Sequence, residues 1–180
     1  MTQDSLLDFA DHQLISRLKA DYFFAIDTKD WNRLRGLFAD GARFEGFPFA
    51  SGGPEAFVAG VSTWLARMRS VHHGMMPDLR AVGPDLVRGR WTMTDYLTWT
   101  DRDFDYKGFA VPGMYGIRGY GYYDEEYVRC QDARWRISFM RLTRLWIDPL
   151  RGDYLQPPAY DVPSVETRWL DPVGERTLGS

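Results

Sequence analysis

Three places in this 180-residue sequence hold side chains of types that can move a proton: Asp27, the pair His72-His73 and Asp95. His72 stands beside His73 and before Gly74. An imidazole exchanges protons near neutral pH, which suits general base work. Adjacent residues of a strand face opposite sides, so only one of the two histidines can look into an interior. Asp95 lies in the run Arg90-Trp-Thr-Met-Thr-Asp-Tyr-Leu-Thr-Trp99. Alternation places Trp91, Met93, Asp95, Leu97 and Trp99 on one face, with Thr92, Thr94, Tyr96 and Thr98 on the more polar one. Burying a lone carboxylate among such neighbours costs on the order of several kcal/mol. Asp95 therefore either binds a backbone amide or an arginine from a nearby strand, or serves as a pocket carboxylate with a perturbed proton affinity. Asp27 comes five residues after Tyr22, where a helical pattern ends. The helix dipole disfavours an acid there; it is either a turn residue leading into the next helix or a group held for another purpose.

Other chemistries find less support. His12, His72 and His73 lack the i,i+4 spacing of a zinc pair, and there is no HExxH. The single cysteine, Cys130, permits neither an intrachain disulfide nor a thiolate cage. Gly119-Tyr-Gly121 lies in a strand pattern with no helix after it, unlike a phosphate loop, and no GxSxG elbow occurs. With a net charge of −3 and arginines scattered along the chain, neither nucleic acid nor an anionic membrane is the expected partner. No run approaches the roughly 18 apolar residues of a membrane span. The start, MTQDSLLDFADHQ, lacks the basic and apolar regions of a signal peptide, so a cytoplasmic location is expected.

The elements that must hold these groups follow from periodicity. Leu14, Leu18, Tyr22 and Ile26, with Ile15 beside them, mark one face of a first helix over Asp11–Ile26. Thr28 or Asp30 can cap a short second helix containing Trp31, Leu34 and Phe38. Asp40-Gly41 reads as a turn and Ala42–Phe47 as a short strand. Ser51-Gly-Gly-Pro54 leads into a third helix whose buried face is Phe57, Val61, Trp64, Leu65 and Met68. Period-two patterns then predict strands over Val71–Val82, Leu86–Trp99, Met114–Cys130 and Trp135–Ile147. Helices followed by long strands give an α+β domain, with a curved sheet wrapped around the long N-terminal helix to leave a cone with one open mouth. Thr100–Pro112 is placed to border that mouth. Residues 1–150 form the domain, and 151–180, with Pro157, Pro158, Pro163 and Pro172, form an extension that drapes over the body or a neighbouring subunit. Aromatic residues make up 16% of the chain, which fits either a ring-rich core or a cavity for a flat apolar ligand.

Tyr22-Phe-Phe-Ala-Ile-Asp27-Thr-Lys-Asp-Trp31, Val71-His72-His73-Gly74-Met75, Gly89-Arg-Trp91 through Asp95, and Trp135-Arg-Ile through Arg144 together resemble the SnoaL-like branch of the nuclear transport factor 2 superfamily. The likeness runs from about residue 8 to 150 and is nearest to the bile acid 7α-dehydratase type, with scytalone dehydratase and hexachlorocyclohexane dehydrochlorinase more distant. In the dehydratase type a tyrosine precedes an aspartate by five residues, as Tyr22 precedes Asp27, and a strand carboxylate follows the histidine by 23, as Asp95 follows His72. The late-strand arginine falls at Arg144. The sequence departs at Met75, where that type has a second histidine, and at Tyr120 and Tyr122, where scytalone dehydratase has one.

The resemblance implies an NTF2-like cone in which Asp27 orients His72 as the base, with Tyr22 or a protonated Asp95 as the acid and Arg144 steadying negative charge. It implies dehydration of a hydroxylated 3-keto-4-ene steroid without a cofactor, and association of subunits, a trimer foremost. Trp64, His73, Trp91, Trp99, Phe104, Tyr120 and Tyr122 are the candidate substrate walls. Related cones also host isomerases and cyclases, and some only bind; fold does not choose among them.

Overall fold

The computed structural model describes residues 7–100, 106, 112–152 and 170. Three helices precede four long strands: α1 (Phe9–Asp27), α2 (Trp31–Gly36), β1 (Phe38–Glu45), α3 (Gly53–Leu65), β2 (Arg69–Gly83), β3 (Leu86–Thr98), β4 (Met114–Arg129) and β5 (Trp135–Arg151). The strands form one mixed sheet in the order β1-β5-β4-β3-β2, with β1 parallel to β5 and every other pair antiparallel. This is the expected α+β arrangement, and α1 packs against the edge strand β2.

The buried stripe of α1 is Ile15, Lys19, Tyr22, Ala25 and Ile26, with Leu14 46% exposed. The face expected from Leu14 and Leu18 is thus turned by about one residue. A lysine occupies the position where an apolar residue would have completed the stripe, which hid its true centre. At its end α1 closes in a Schellman turn: Asp30 N–H donates to Ala25 C=O (2.9 Å), and Lys29 takes the left-handed conformation at φ 63°. Glycine is the usual residue there because it lacks the Cβ that penalises this region. The Asp30 side chain then caps α2 by accepting from Arg33 N–H (3.0 Å), which decides between Thr28 and Asp30.

Phe38 does not belong to α2. It opens β1, which runs through Asp40-Gly41 instead of turning there and ends at Glu45, short of Phe47. The pairing with β5 explains this: Ile137 N–H donates to Leu37 C=O (3.0 Å), and an irregularity between Phe38 and Arg43 absorbs the Asp-Gly pair without breaking the strand. Pro54 starts α3 as expected, and Met68 is buried just beyond its end.

The aromatic excess is spent largely on packing. Phe44 and Phe57 stack at 3.9 Å, with Phe38 and Phe47 edge-on to Phe57. Such ring pairs each contribute about 0.5–1.5 kcal/mol beyond the area they bury. Among the described residues no helix is long and apolar enough to cross a membrane. Most of the proposed 151–180 extension lies outside the described residues.

Candidate active site

His72 is the inward histidine. Its Nδ1 lies 2.7 Å from Asp27 Oδ1, while its backbone N–H donates to Asp27 Oδ2 (2.7 Å). A carboxylate only accepts, so Nδ1 carries the hydrogen and the lone pair sits on Nε2, which the hydrogen-bond network thereby assigns to the cavity side. Asp27 is brought there by the last turn of α1 and His72 by the edge strand β2, two elements in direct contact. Phe23, one turn back on α1, lies nearly parallel to the imidazole at 6.4 Å.

Asp95 points inward from β3 as its alternation predicts, with a side chain only 1% exposed. Its partner is Arg144 of β5, which spans the intervening strand β4 to reach it. Nη1 donates to Oδ1 (2.9 Å) and Nη2 to Oδ2, a two-pronged pair. The crossing is possible because β4 presents glycine on that face. A Cβ on Gly119 would lie 1.8 Å from Arg144 Nη1 and 2.2 Å from Asp95 Oδ1. Burial works against the Arg144 cation, but its bonds to Asp95 outweigh this and hold the guanidinium protonated. Both carboxylate oxygens face donors, so the expected protonated Asp95 acid is not what the geometry provides: an arginine partner takes the place of a proton.

These groups share one cavity. Its wall includes Tyr22, Ile26, Phe47, Phe49, Val61, Trp64, Leu65, His72, Asp95, Tyr123, Leu142 and Arg144. Arg144 Nε–H is left over there, buried without a hydrogen-bond partner, while the Tyr22 hydroxyl has only the Tyr123 hydroxyl beside it, in poor geometry. Burial, with Tyr123 and Glu125 close by, raises the Tyr22 phenol well above its usual range, so it keeps its proton. The cavity is tight, enclosing about 30 Å³ of free space, room for one or two waters. The cavity is therefore far smaller than the deep hollow expected from the sequence, with the rings of Phe47, Phe49 and Trp64 in its wall. A larger hollow of about 540 Å³ lies on the outer sheet face, but its walls are Arg88, Arg90 and Arg141 already matched to Glu126 and Asp124. It offers charge that is already satisfied.

Of the expected walls, Trp64 lines the cavity. His73 is exposed on the outer face of β2, as parity requires once His72 turns in. Tyr120 and Tyr122 also belong to the outer face, because Gly119, Gly121 and Tyr123 take the inward positions of β4. Tyr123, Phe47 and Phe49 are aromatic wall residues that the sequence reading missed. Trp91 and Trp99 are inward but stand behind the cavity: Trp91 Nε1–H donates to the Tyr127 hydroxyl (2.8 Å), and Trp99 stacks on Tyr106 at 5.9 Å. Phe104 lies outside the described residues.

Beneath Tyr22 and Tyr123 sits a buried ion pair that was also missed. Lys19 Nζ is 2.5 Å from Glu125 Oε1, both side chains fully buried, and Glu125 Oε2 accepts from Tyr127. The ammonium lies over the rings of Tyr123 (3.8 Å) and Tyr22 (4.2 Å). Burial lowers the Lys19 proton affinity while Glu125 opposes that. Among the described residues no three His, Cys, Asp or Glu side chains gather as a metal site.

Comparison with known proteins places the fold. A type 2 hexachlorocyclohexane dehydrochlorinase (LinA) is 22% identical with a TM-score of 0.68, covering 83% of this chain and 95% of its own. The LinA-type3 enzyme of Novosphingobium barchaimii is 23% identical with a TM-score of 0.66, covering 83% and 96%. A scytalone dehydratase candidate from Novosphingobium aromaticivorans is 18% identical with a TM-score of 0.65, covering 83% and 93%. At these identities the likeness is one of fold. A search of curated proteins finds no significant match. The model of the SnoaL-like domain matches residues 8–141, most of the chain, and the protein belongs to that family.

Proposed function

We propose that this protein is a lyase that removes a proton and a leaving group from a hydrophobic substrate without a cofactor. The observation that carries the reading is His72 Nε2 left free by the Nδ1–Asp27 bond, in a cavity that also holds the Tyr22 hydroxyl and an unpartnered Arg144 Nε–H. His72 takes the proton, and Asp27 stabilises the imidazolium that forms. The Tyr22 hydroxyl donates to the departing group, and Arg144 Nε–H holds a carbonyl or developing anion. Asp95 positions the guanidinium and leaves the acid role to Tyr22. The dehydrochlorinase and dehydratase neighbours support elimination as the reaction class.

Within this reading, a hydroxylated 3-keto-4-ene steroid of the bile acid 7-hydroxyl type is the substrate to which the sequence resemblance points. Its enone acidifies the γ-carbon enough for an imidazole base. Sites for ligands of that size enclose roughly 300–1,000 Å³, so binding must swing the Phe47–Phe49 segment and Trp64 outward. A smaller ring compound needs less displacement, and the tightness of the cavity favours it as the second reading. Exposed Val71, Met75 and Trp146 on the outer sheet face support self-association, and the sequence resemblance points to a trimer as its form.

The test is a panel of hydroxylated steroid enones and small halogenated or hydroxylated rings, followed by mass loss of water or release of halide. Deuterium wash-in from heavy water reports proton removal. His72→Ala should cut turnover by about 10²–10⁴; near-parental turnover in that variant sinks the proposal.

A further inference from the structure

Next to the His72–Asp27 pair stands an amine that the elimination does not use. Lys29 follows α1 by two residues, in a left-handed backbone conformation that a residue with a Cβ rarely adopts. From there its side chain turns back under the sheet, and Nζ donates to Ser70 Oγ (2.8 Å). Ser70 and His72 are successive inward residues of β2, and Ser70 is buried. The groups facing Lys29 are Asp27 from α1, Ser70 from β2 and the Trp31 ring from α2, whose centroid is 5.9 Å from Nζ. His72 is faced by Asp27 and, across the cavity, by Tyr22 and the mutually paired Asp95 and Arg144.

We propose that Lys29 is a positioning residue for the base: its ammonium, fastened to Ser70, pins β2 to the end of α1 and, from beyond contact distance, draws on the charge of the Asp27 carboxylate that binds His72, weakening His72 as a proton acceptor. Two features favour this over a plain surface role. The strained backbone is tolerated where glycine would be free of it, and the side chain is directed inward instead of toward water. A cation beside Asp27 competes with the imidazolium for the same negative charge, so His72 becomes the stronger base once Lys29 gives up its proton. Burial lowers the Lys29 affinity for that proton to about 8, with Asp27 opposing the shift. The base would thus strengthen on the alkaline side of neutrality. This role rests on the reading of His72 as the base.

The test requires no substrate. The imidazole signals of His72 are followed by NMR from pH 5 to 10, with outward-facing His73 of the same strand as the internal control. In the parent protein His72 should show its own titration and a second inflection near pH 8 that His73 lacks. Lys29→Arg keeps the cation, so the main midpoint stays and the second inflection disappears. Lys29→Met removes the cation, so the inflection disappears and the main midpoint moves upward. A parent His72 curve with one inflection overturns the proposal, even where Lys29→Met does not fold. So does a Lys29→Met midpoint equal to the parent's. Because these readings are taken on the resting protein, the expected titration in a protein with no turnover refutes the elimination alone. Normal turnover with a single-step titration refutes the Lys29 role alone.

Discussion

Gly119→Ala puts the cross-strand pair to a quantitative test. The new methyl carbon would fall 1.8 Å from Arg144 Nη1 and 2.2 Å from Asp95 Oδ1, well inside contact distance, so the guanidinium must leave its seat. Asp95, with a side chain 1% exposed, is then left as a buried charge without its partner. Breaking a buried pair in this way costs about 3–5 kcal/mol, and the stiffer unfolded chain of an alanine returns about 0.4–1 kcal/mol. The net loss is about 3 kcal/mol, a fall in Tm of roughly 6–12 °C for a domain of this size. Differential scanning calorimetry measures it directly. The control is Asp95→Leu/Arg144→Met, an apolar replacement expected to be nearly neutral because it removes both charges together. Adding Gly119→Ala to that background should cost less than about 1 kcal/mol. A parental Tm in the single variant, or an equal loss in both backgrounds, refutes the idea that glycine is there to let the arginine pass.

Three further outcomes follow from the same geometry. Glu125→Gln should cost about 3–5 kcal/mol in urea unfolding by stranding the Lys19 ammonium, whereas Lys19→Met/Glu125→Leu should lie within about 1 kcal/mol of the parent. Tyr22→Phe removes a buried hydroxyl whose one polar neighbour is the Tyr123 hydroxyl, in poor geometry, so stability should change by no more than about 1 kcal/mol while kcat falls; a larger loss of Tm would mean the hydroxyl is firmly bonded. Lys29 binds its proton less tightly when folded (about 8) than unfolded (10.5), so between those values the unfolded chain holds more protons and stability gains from rising pH. The difference between parent and Lys29→Met stability should therefore grow in the parent's favour from pH 8 to 10.5; a pH-independent difference contradicts the burial of that amine.

Sequence reasoning reached the site where a single periodicity governed it. In β3 every second residue from Trp91 to Leu97 is apolar except Asp95, so one anomaly fixes both the face and the outlier. Parity likewise made one histidine inward, and the resemblance selected His72. In β4 the same logic failed because both faces carry tyrosines and acids. The inward face holds two bare glycines and Glu125, and it looks less like a wall than Tyr120 and Tyr122 do. Two glycines at alternate positions of a strand are themselves a signal: they clear one face for a side chain arriving from elsewhere. Lys19 stayed hidden for a related reason, since its charge is neutralised by a residue 106 positions away and nothing near it in sequence announces the partner. The small size of the cavity was illegible because it depends on where rings lie, not on how many there are.

One oxygen of Asp27 grips the main chain of position 72 and not its ring. A seam between helix end and sheet margin is thereby stitched without reference to which amino acid is present there. Excising the imidazole, as in His72→Gly, should leave an intact receptacle with its carboxylate still aimed into the gap. Free imidazole supplied in solution could then lodge in that gap and act as a prosthetic base, so the part of the machine that most needs chemistry is also the part the scaffold can most easily do without.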